Sequence, residues 1–320
     1  MRAGWLLVLA ALLATGCRRE PTEAGRADAP GAHDPVQAVV TQVRHLRRND
    51  LAGFARDGVP PDLHPRLQAA WREGRTRWPL DELPFDEQLP TMLAALSAPG
   101  AQERLQLVFD HQFAGETASL RTAATTLGLF GQRYVRDLPD LGEAERDHDL
   151  RLVDAFSRWA ASAPLGDRDR ARAALARLTA AARATGIASD TDFTRLGMAA
   201  SLARLSGFLA AFKAVLASYG LDLDASLDAL QAELVGRRGD AARVRIRYRL
   251  GSTPIEAVID VARVRGRWYL ADDLRRARAA LAPGPPRTGT PAATPPESRG
   301  QPPNPTPPPR AASATPSTSG

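Results

Sequence analysis

Apolar residues recur every three or four positions through most of residues 35–236, the period of helices with one buried face. Val36, Val39, Val40, Val43 and Leu46 form the first series, behind Asp34 and Pro35 as cap and first turn. Asn49-Asp50 ends it, and Leu51 and Phe54 begin a short second piece. Pro60-Pro61-Asp62 introduces a third, with Leu63, Leu67 and Trp71. A Pro-rich connection over 78–90 leads to Met92, Leu93 and Leu96, then to Leu105, Leu107, Val108 and Phe109. Further helices are predicted near 117–136, 141–162, 168–184 and 190–219. The last starts at Ser189 and Asp192, which stand at capping-box spacing, and stops at Gly220. A shorter helix is predicted over 224–235. Arg195, Arg204 and Lys213 interrupt 190–219, so no run near 20 apolar residues remains and a core helix is expected rather than a membrane span.

From about residue 242 the period changes to two. Val244, Ile246, Tyr248 and Leu250 alternate with Arg243, Arg245, Arg247 and Arg249. Gly251 to Pro254 turns the chain, and Ile255, Ala257, Ile259 and Val261 carry the apolar face onward. Arg265-Gly266 makes a tight turn before Trp268, Tyr269 and Leu270. Three strands alone are marginal, so their apolar face must pack on helices. The expectation is one α+β domain over 35–282, predominantly α-helical (35–236). A small C-terminal three-stranded antiparallel β-meander and a short helix (237–282) complete it. The meander with its Gly266-Arg267-Trp268-Tyr269 strand resembles, over about 30 residues, the closing strands of nuclear transport factor-like α+β cones. The long helical region departs from that family.

The N-terminus has its own pattern: Met1-Arg2, an apolar stretch from Trp5 to Ala14, then Ala14-Thr15-Gly16-Cys17. The stretch is too short to span about 30 Å of hydrocarbon. A charged start, a short apolar run and small residues are the pattern of an export signal. The segment resembles the lipobox of bacterial lipoproteins, with Ala14 where that family prefers a larger aliphatic residue. The resemblance implies that 1–16 is a signal peptide removed before Cys17. It also implies acylation of the Cys17 sulfur and of the new amino group, so that the protein is held at a membrane. Several chains anchor stably where one is marginal. Arg18 stands where that family's inner-membrane members carry Asp, which points to the outer membrane and its periplasmic face. Residues 17–34 read as a flexible tether. Residues 283–320 hold 13 of the 26 prolines and read as a disordered tail with polyproline II character.

Charge adds a location rather than a class. The chain carries +6, whereas 237–287 alone hold 13 arginines against 5 acids, or +8. Period two places Arg243, Arg245, Arg247 and Arg249 on one strand face, with Arg263, Arg265 and Arg267 following. Guanidinium groups fork onto phosphates and carboxylates, so these four are the candidate contact for an acidic envelope component or protein. The alternative is a solvated face partly neutralised by Glu256 and Asp260 across the hairpin. Nucleic acid is not expected, since no exposed aromatics are interleaved with the arginines.

Catalytic signals are sparse. Cys17 is the only cysteine, so its acylation leaves no thiol chemistry. Asp222, Asp224, Ser226, Asp228 and Glu233 have calcium-loop spacing, but Leu227 stands where the loop needs glycine, and a helix start is the better reading. Asp137, Asp140, Glu143, Glu145, Asp147 and Asp149 surround His148 and read as a helix start with a charged exposed face. The five histidines form no metal-ligand pair at helical spacing, and Asp110-His111 reads as structural. No G-x-S-x-G, phosphate loop or S-x-x-K occurs. No catalytic residue, metal or cofactor is therefore assigned. The function expected is a non-enzymatic interaction or adaptor module. A small-ligand or lipid carrier and a peptidoglycan hydrolase built on two distant carboxylates are the alternatives.

Overall fold

The computed structural model describes residues 30–83, 86–138 and 142–282. Cys17, the expected signal peptide, the tether before Pro30, Asp140 and the Pro-rich tail lie outside the described residues. Pro35–Arg47 forms α1, capped as expected by Asp34, whose carboxylate accepts from the Gln37 N–H at 2.9 Å. Then follow α2 (Leu51–Asp57), α3 (Leu63–Arg72), α4 (Leu89–Ser97), α5 (Ala101–Gln112), α6 (Thr117–Asp137), α7 (Glu143–Ser162) and α8 (Arg168–Thr185). Gly197, at φ +76°, divides the expected 190–219 helix into α9 (Asp190–Leu196) and α10 (Met198–Ser218). A side chain is strained at that φ, so glycine is the residue that permits the break. The Ser189 cap is in place: its hydroxyl accepts from the Asp192 N–H at 3.2 Å and donates to the Asp192 carboxylate at 2.9 Å.

The sheet corrects the expected strand count. It has four antiparallel strands in sequence order: β1 (Gln231–Arg238), β2 (Ala241–Leu250), β3 (Thr253–Val264) and β4 (Arg267–Leu270). The short helix before it, α11, stops at Asp228, and the second half of the expected 224–235 helix is instead β1. The cause is a two-residue turn. Gly239-Asp240 joins Arg238 to its partner Ala241, with Gly239 at φ +59°. Once β2 is fixed, β1 gains a ladder of main-chain hydrogen bonds that a last helical turn would not offer. A bulge at Leu234/Gly236 bends this edge strand. A final helix, α12 (Ala271–Ala280), follows β4 directly.

Two cores meet at the sheet. Val244, Ile246, Tyr248, Leu250, Ile255 and Val261 pack on Val39, Val43 and Leu46 of α1, Leu152 of α7 and Leu227 of α11. The second core gathers Leu67 and Trp71 of α3, Leu93 of α4, Phe193 of α9, Leu202 of α10 and Leu274 of α12. Tyr269, with Ala262 and Val264 of β3, brings the opposite face of the sheet into this second core. The Trp71 indole N–H donates to the Phe193 carbonyl at 2.9 Å, so this buried ring has its polar atom satisfied. α10 is long and apolar enough to cross a membrane by length and composition alone. Its Leu202 and Leu205 lie in the second core and its Leu216 in the first, the packing of a core helix.

Candidate functional site

β2 holds Arg243, Arg245, Arg247 and Arg249 on one face, as their alternation predicts, and Tyr248 and Val244 on the other. Two of the four are tied into a carboxylate pair. Arg245 reaches Glu233 at 2.9 Å and Glu256 at 3.1 Å, and Arg247 reaches the same two at 3.2 and 2.9 Å. Hydrogen bonding from Arg247 lowers the Glu256 pKa. Glu233 comes from β1, the strand not expected from sequence. Arg249 donates to the Ser252 carbonyl at 2.5 Å, and Arg243 stands opposite Asp260 in the register. Of the three later arginines, Arg265 pairs with Asp62 at 2.8 Å and Arg267 donates to the His33 ring at 2.6 Å.

The acidic stretch around His148 departs from the expected exposed face: His148 and Asp149 are buried, while Glu143, Ala144 and Asp147 remain outside. Asp149 is wholly buried, and neither of its carboxylate oxygens has a hydrogen-bond partner among the described residues. Burial first, then the Glu145 charge, pushes its pKa up to about 8. Burial also raises the hydroxyl of Tyr248, and lowers His148 to about 4; these two rings meet edge to face at 6.3 Å. One turn back along α7, Glu145 accepts from Arg276 of α12 at 2.7 Å, and the same guanidinium donates to Glu82 at 3.0 Å. Burial raises both Glu82 and Asp273, and the one cation between them does not offset it. Arg276 thus pins α12 to α7 and to the 3-10 turn at Leu80–Glu82. These pKa shifts follow first of all from burial.

The other candidates resolve into structure. Asp222 caps α11, Asp224 pairs with Lys213, Asp228 takes Arg47 at 2.9 Å, and Glu233 belongs to the sheet face. The calcium-spaced acids therefore serve as the expected helix start and as ion-pair partners, with Arg47 reaching Asp224 at 3.6 Å as well as Asp228. Asp110 is held by Arg168 at 3.0 Å, and His111 is exposed. His45 lies between Asp50 at 3.0 Å and Asp57 at 2.8 Å, a clamp joining α1 and α2. Among the described residues no group of three or more His, Cys, Asp or Glu side chains is placed to hold a metal ion.

One surface was missed from sequence. α6 packs on α7, its Gly128 and Val135 facing that helix. The contact is close: a Cβ on Gly128 would lie 2.2 Å from the Ser157 hydroxyl. Beside this contact runs a second series, Leu120, Ala123, Leu127, Phe130 and Tyr134, spaced three and four residues apart. It is not covered: Leu127 is 69%, Phe130 65% and Tyr134 50% exposed. The spacing is legible in the chain, but only the packing reveals that this stripe has no neighbour among the described residues. No family model, curated protein or solved structure matches this chain.

Proposed function

We propose that this protein is a lipid-anchored, non-enzymatic module of the cell envelope that holds another envelope protein through α6. The exposed stripe of α6 carries the reading. Large apolar side chains left together on a surface mark an interaction site. The stripe is as narrow as a coiled-coil seam, and a globular core requires a wider one, so it suits a single partner helix. Its flanking positions, Ser119, Ala124, Thr126 and Gly131, are small and uncharged, and Arg133 is paired with Asp137 at 3.7 Å. A partner with an apolar seam meets no unpaired charge there. Anchoring through Cys17 on the periplasmic face of the outer membrane places the partner in that compartment.

The test is site-specific photo-crosslinking in cells. A crosslinker at Leu127 or Phe130 should trap one and the same protein, and a crosslinker at Thr125 should not. Replacing Leu127, Phe130 and Tyr134 by serine should abolish the adduct while helicity is kept. Equal trapping from Thr125, or a triple variant that still holds the partner, would remove the stripe from the reading. Mass spectrometry of the membrane fraction tests the anchor, and an unmodified Cys17 thiol would sink it.

A second contact rests on Arg243, which forms no ion pair among the described residues, and on its three neighbours. Exposed pairs such as Arg247–Glu256 are screened by solvent and held weakly, so an acidic partner can displace them. Replacing Arg243, Arg245, Arg247 and Arg249 by serine should then lower co-purification with the α6 partner. An unchanged yield would confine docking to α6.

A further inference from the structure

A half-open cavity of about 310 Å³ lies where the chain enters the fold. Its walls come from four places. Gln37 and Thr41 stand one turn apart on α1, Asp57 ends α2, Arg267 begins β4, and Gly31 and His33 belong to the incoming segment. The walls are fixed. Ala32 forms a two-way main-chain bridge with Trp268, at 3.1 and 2.9 Å, and the Tyr269 hydroxyl donates to the Pro30 carbonyl at 2.9 Å. Gly31, at φ +91°, lies so close under the Tyr269 ring that a Cβ would fall 2.4 Å from it.

The lining is about half polar and half apolar, and it carries both signs of charge. Arg267 gives one N–H to the His33 ring at 2.6 Å, and a guanidinium has five such donors. Burial acts to raise the Asp57 pKa, but hydrogen bonds from His45 and Arg56 outweigh it and hold the carboxyl well below its ordinary range. It is therefore ionised at neutral pH. Those bonds measure 2.8 Å from His45 and 2.8 and 3.0 Å from Arg56, and they also lock the carboxylate in place. A carboxylate has about four lone-pair sites, so acceptor capacity remains. The Gln37 amide and Thr41 hydroxyl add a donor and acceptors to the same wall. Small-molecule sites are concave, largely pre-formed and furnished with a few convergent polar groups.

We propose that this cavity binds a small zwitterion of amino-acid to dipeptide size, its carboxylate on Arg267 and its ammonium group on Asp57. Calorimetric titration of the full chain with glycine, L-alanine and D-alanyl-D-alanine tests this, with acetate and methylammonium as half-ligands. At least one zwitterion should bind with a Kd of about 1 mM or below, and neither half-ligand should match it. Arg267→Ala should weaken binding by about tenfold or more, the scale of a lost charged hydrogen bond. Thr41→Leu leaves every ion pair intact and fills the cavity, so it should abolish binding without lowering the melting temperature. It also decides the matter if Arg267→Ala fails to fold. No heat with any zwitterion, acetate binding as tightly as the zwitterions, or wild-type affinity in Thr41→Leu would overturn the proposal.

Discussion

Lys213, the only lysine of the chain, is buried beneath α1 and forms an ion pair with Asp224, one residue past the start of α11. Its ammonium also donates to the Leu46 carbonyl at 3.0 Å, so one charge closes the end of α1 and ties it to α10 and α11. Burial lowers the lysine pKa, and the Asp224 hydrogen bond acts against that shift.

The two partners should not be equivalent on removal. Asp224→Ala leaves a buried cation with only carbonyl partners, a change worth about 3 kcal/mol. Lys213→Met keeps the volume and leaves a carboxylate that is 34% exposed and still within 3.6 Å of Arg47, so about 1–2 kcal/mol should be lost. Urea denaturation of both variants checks the order. Equal losses would mean that the pair is not what holds α11.

Stability should rise on mild acidification. Glu82, Asp149 and Asp273 have folded pKa values raised above their unfolded ones. Between the two values the native state binds more protons, so stability is fully present below about pH 4 and is lost as pH climbs through 8. His148, lowered to about 4, acts the other way and withdraws stability as pH falls below its unfolded value of 6.5. Three carboxyls outweigh one imidazole, so the melting temperature should increase from pH 8.5 and peak near about pH 5. Asp149→Asn should flatten the upper limb and stabilise the protein at pH 8. A profile that rises toward pH 8 would contradict the protonated cluster.

Gly128→Ala tests the α6–α7 contact. Alanine favours a helix by about 1 kcal/mol over glycine. Its Cβ, however, would meet the Ser157 hydroxyl and Cβ at 2.2 and 2.6 Å, and overpacking costs about 1–3 kcal/mol. Net destabilisation is expected by urea titration, and Ser157→Gly in the same chain should recover most of the overpacking. A stabilised single variant would show that the two helices part easily.

The arginine face should matter little to folding. Arg245→Gln and Arg247→Gln should each leave the urea midpoint nearly unchanged, because these exposed pairs are screened and mobile. A larger loss in guanidinium-free urea melts would make the four-residue network part of the fold rather than a contact surface.

How far local pattern reaches is clear from particular residues. The Asp34-Pro35 start, the Asn49-Asp50 break, the Ser189 cap and the inner face of β2 are set by spacing and capping chemistry, which act within a few residues. β1 was hidden because Gln231 to Glu233 continue a helical start equally well. The Gly239-Asp240 turn was its one local mark, and pairing with β2 decided the matter. His148 and Asp149 sit in a run that reads as a charged surface. They are buried because that end of α7 settles on β2 and β3, about a hundred residues further along the chain, where the His148 ring meets Tyr248 at 6.3 Å. The α6 stripe is the reverse case. Its apolar spacing is written in the chain, and among the described residues it lies bare because α7 covers only the Gly128 side of α6. Periodicity fixes which residues share a face, through the geometry of a single helix or strand. Whether that face meets protein or water depends on which distant element arrives, and this only the tertiary structure decided.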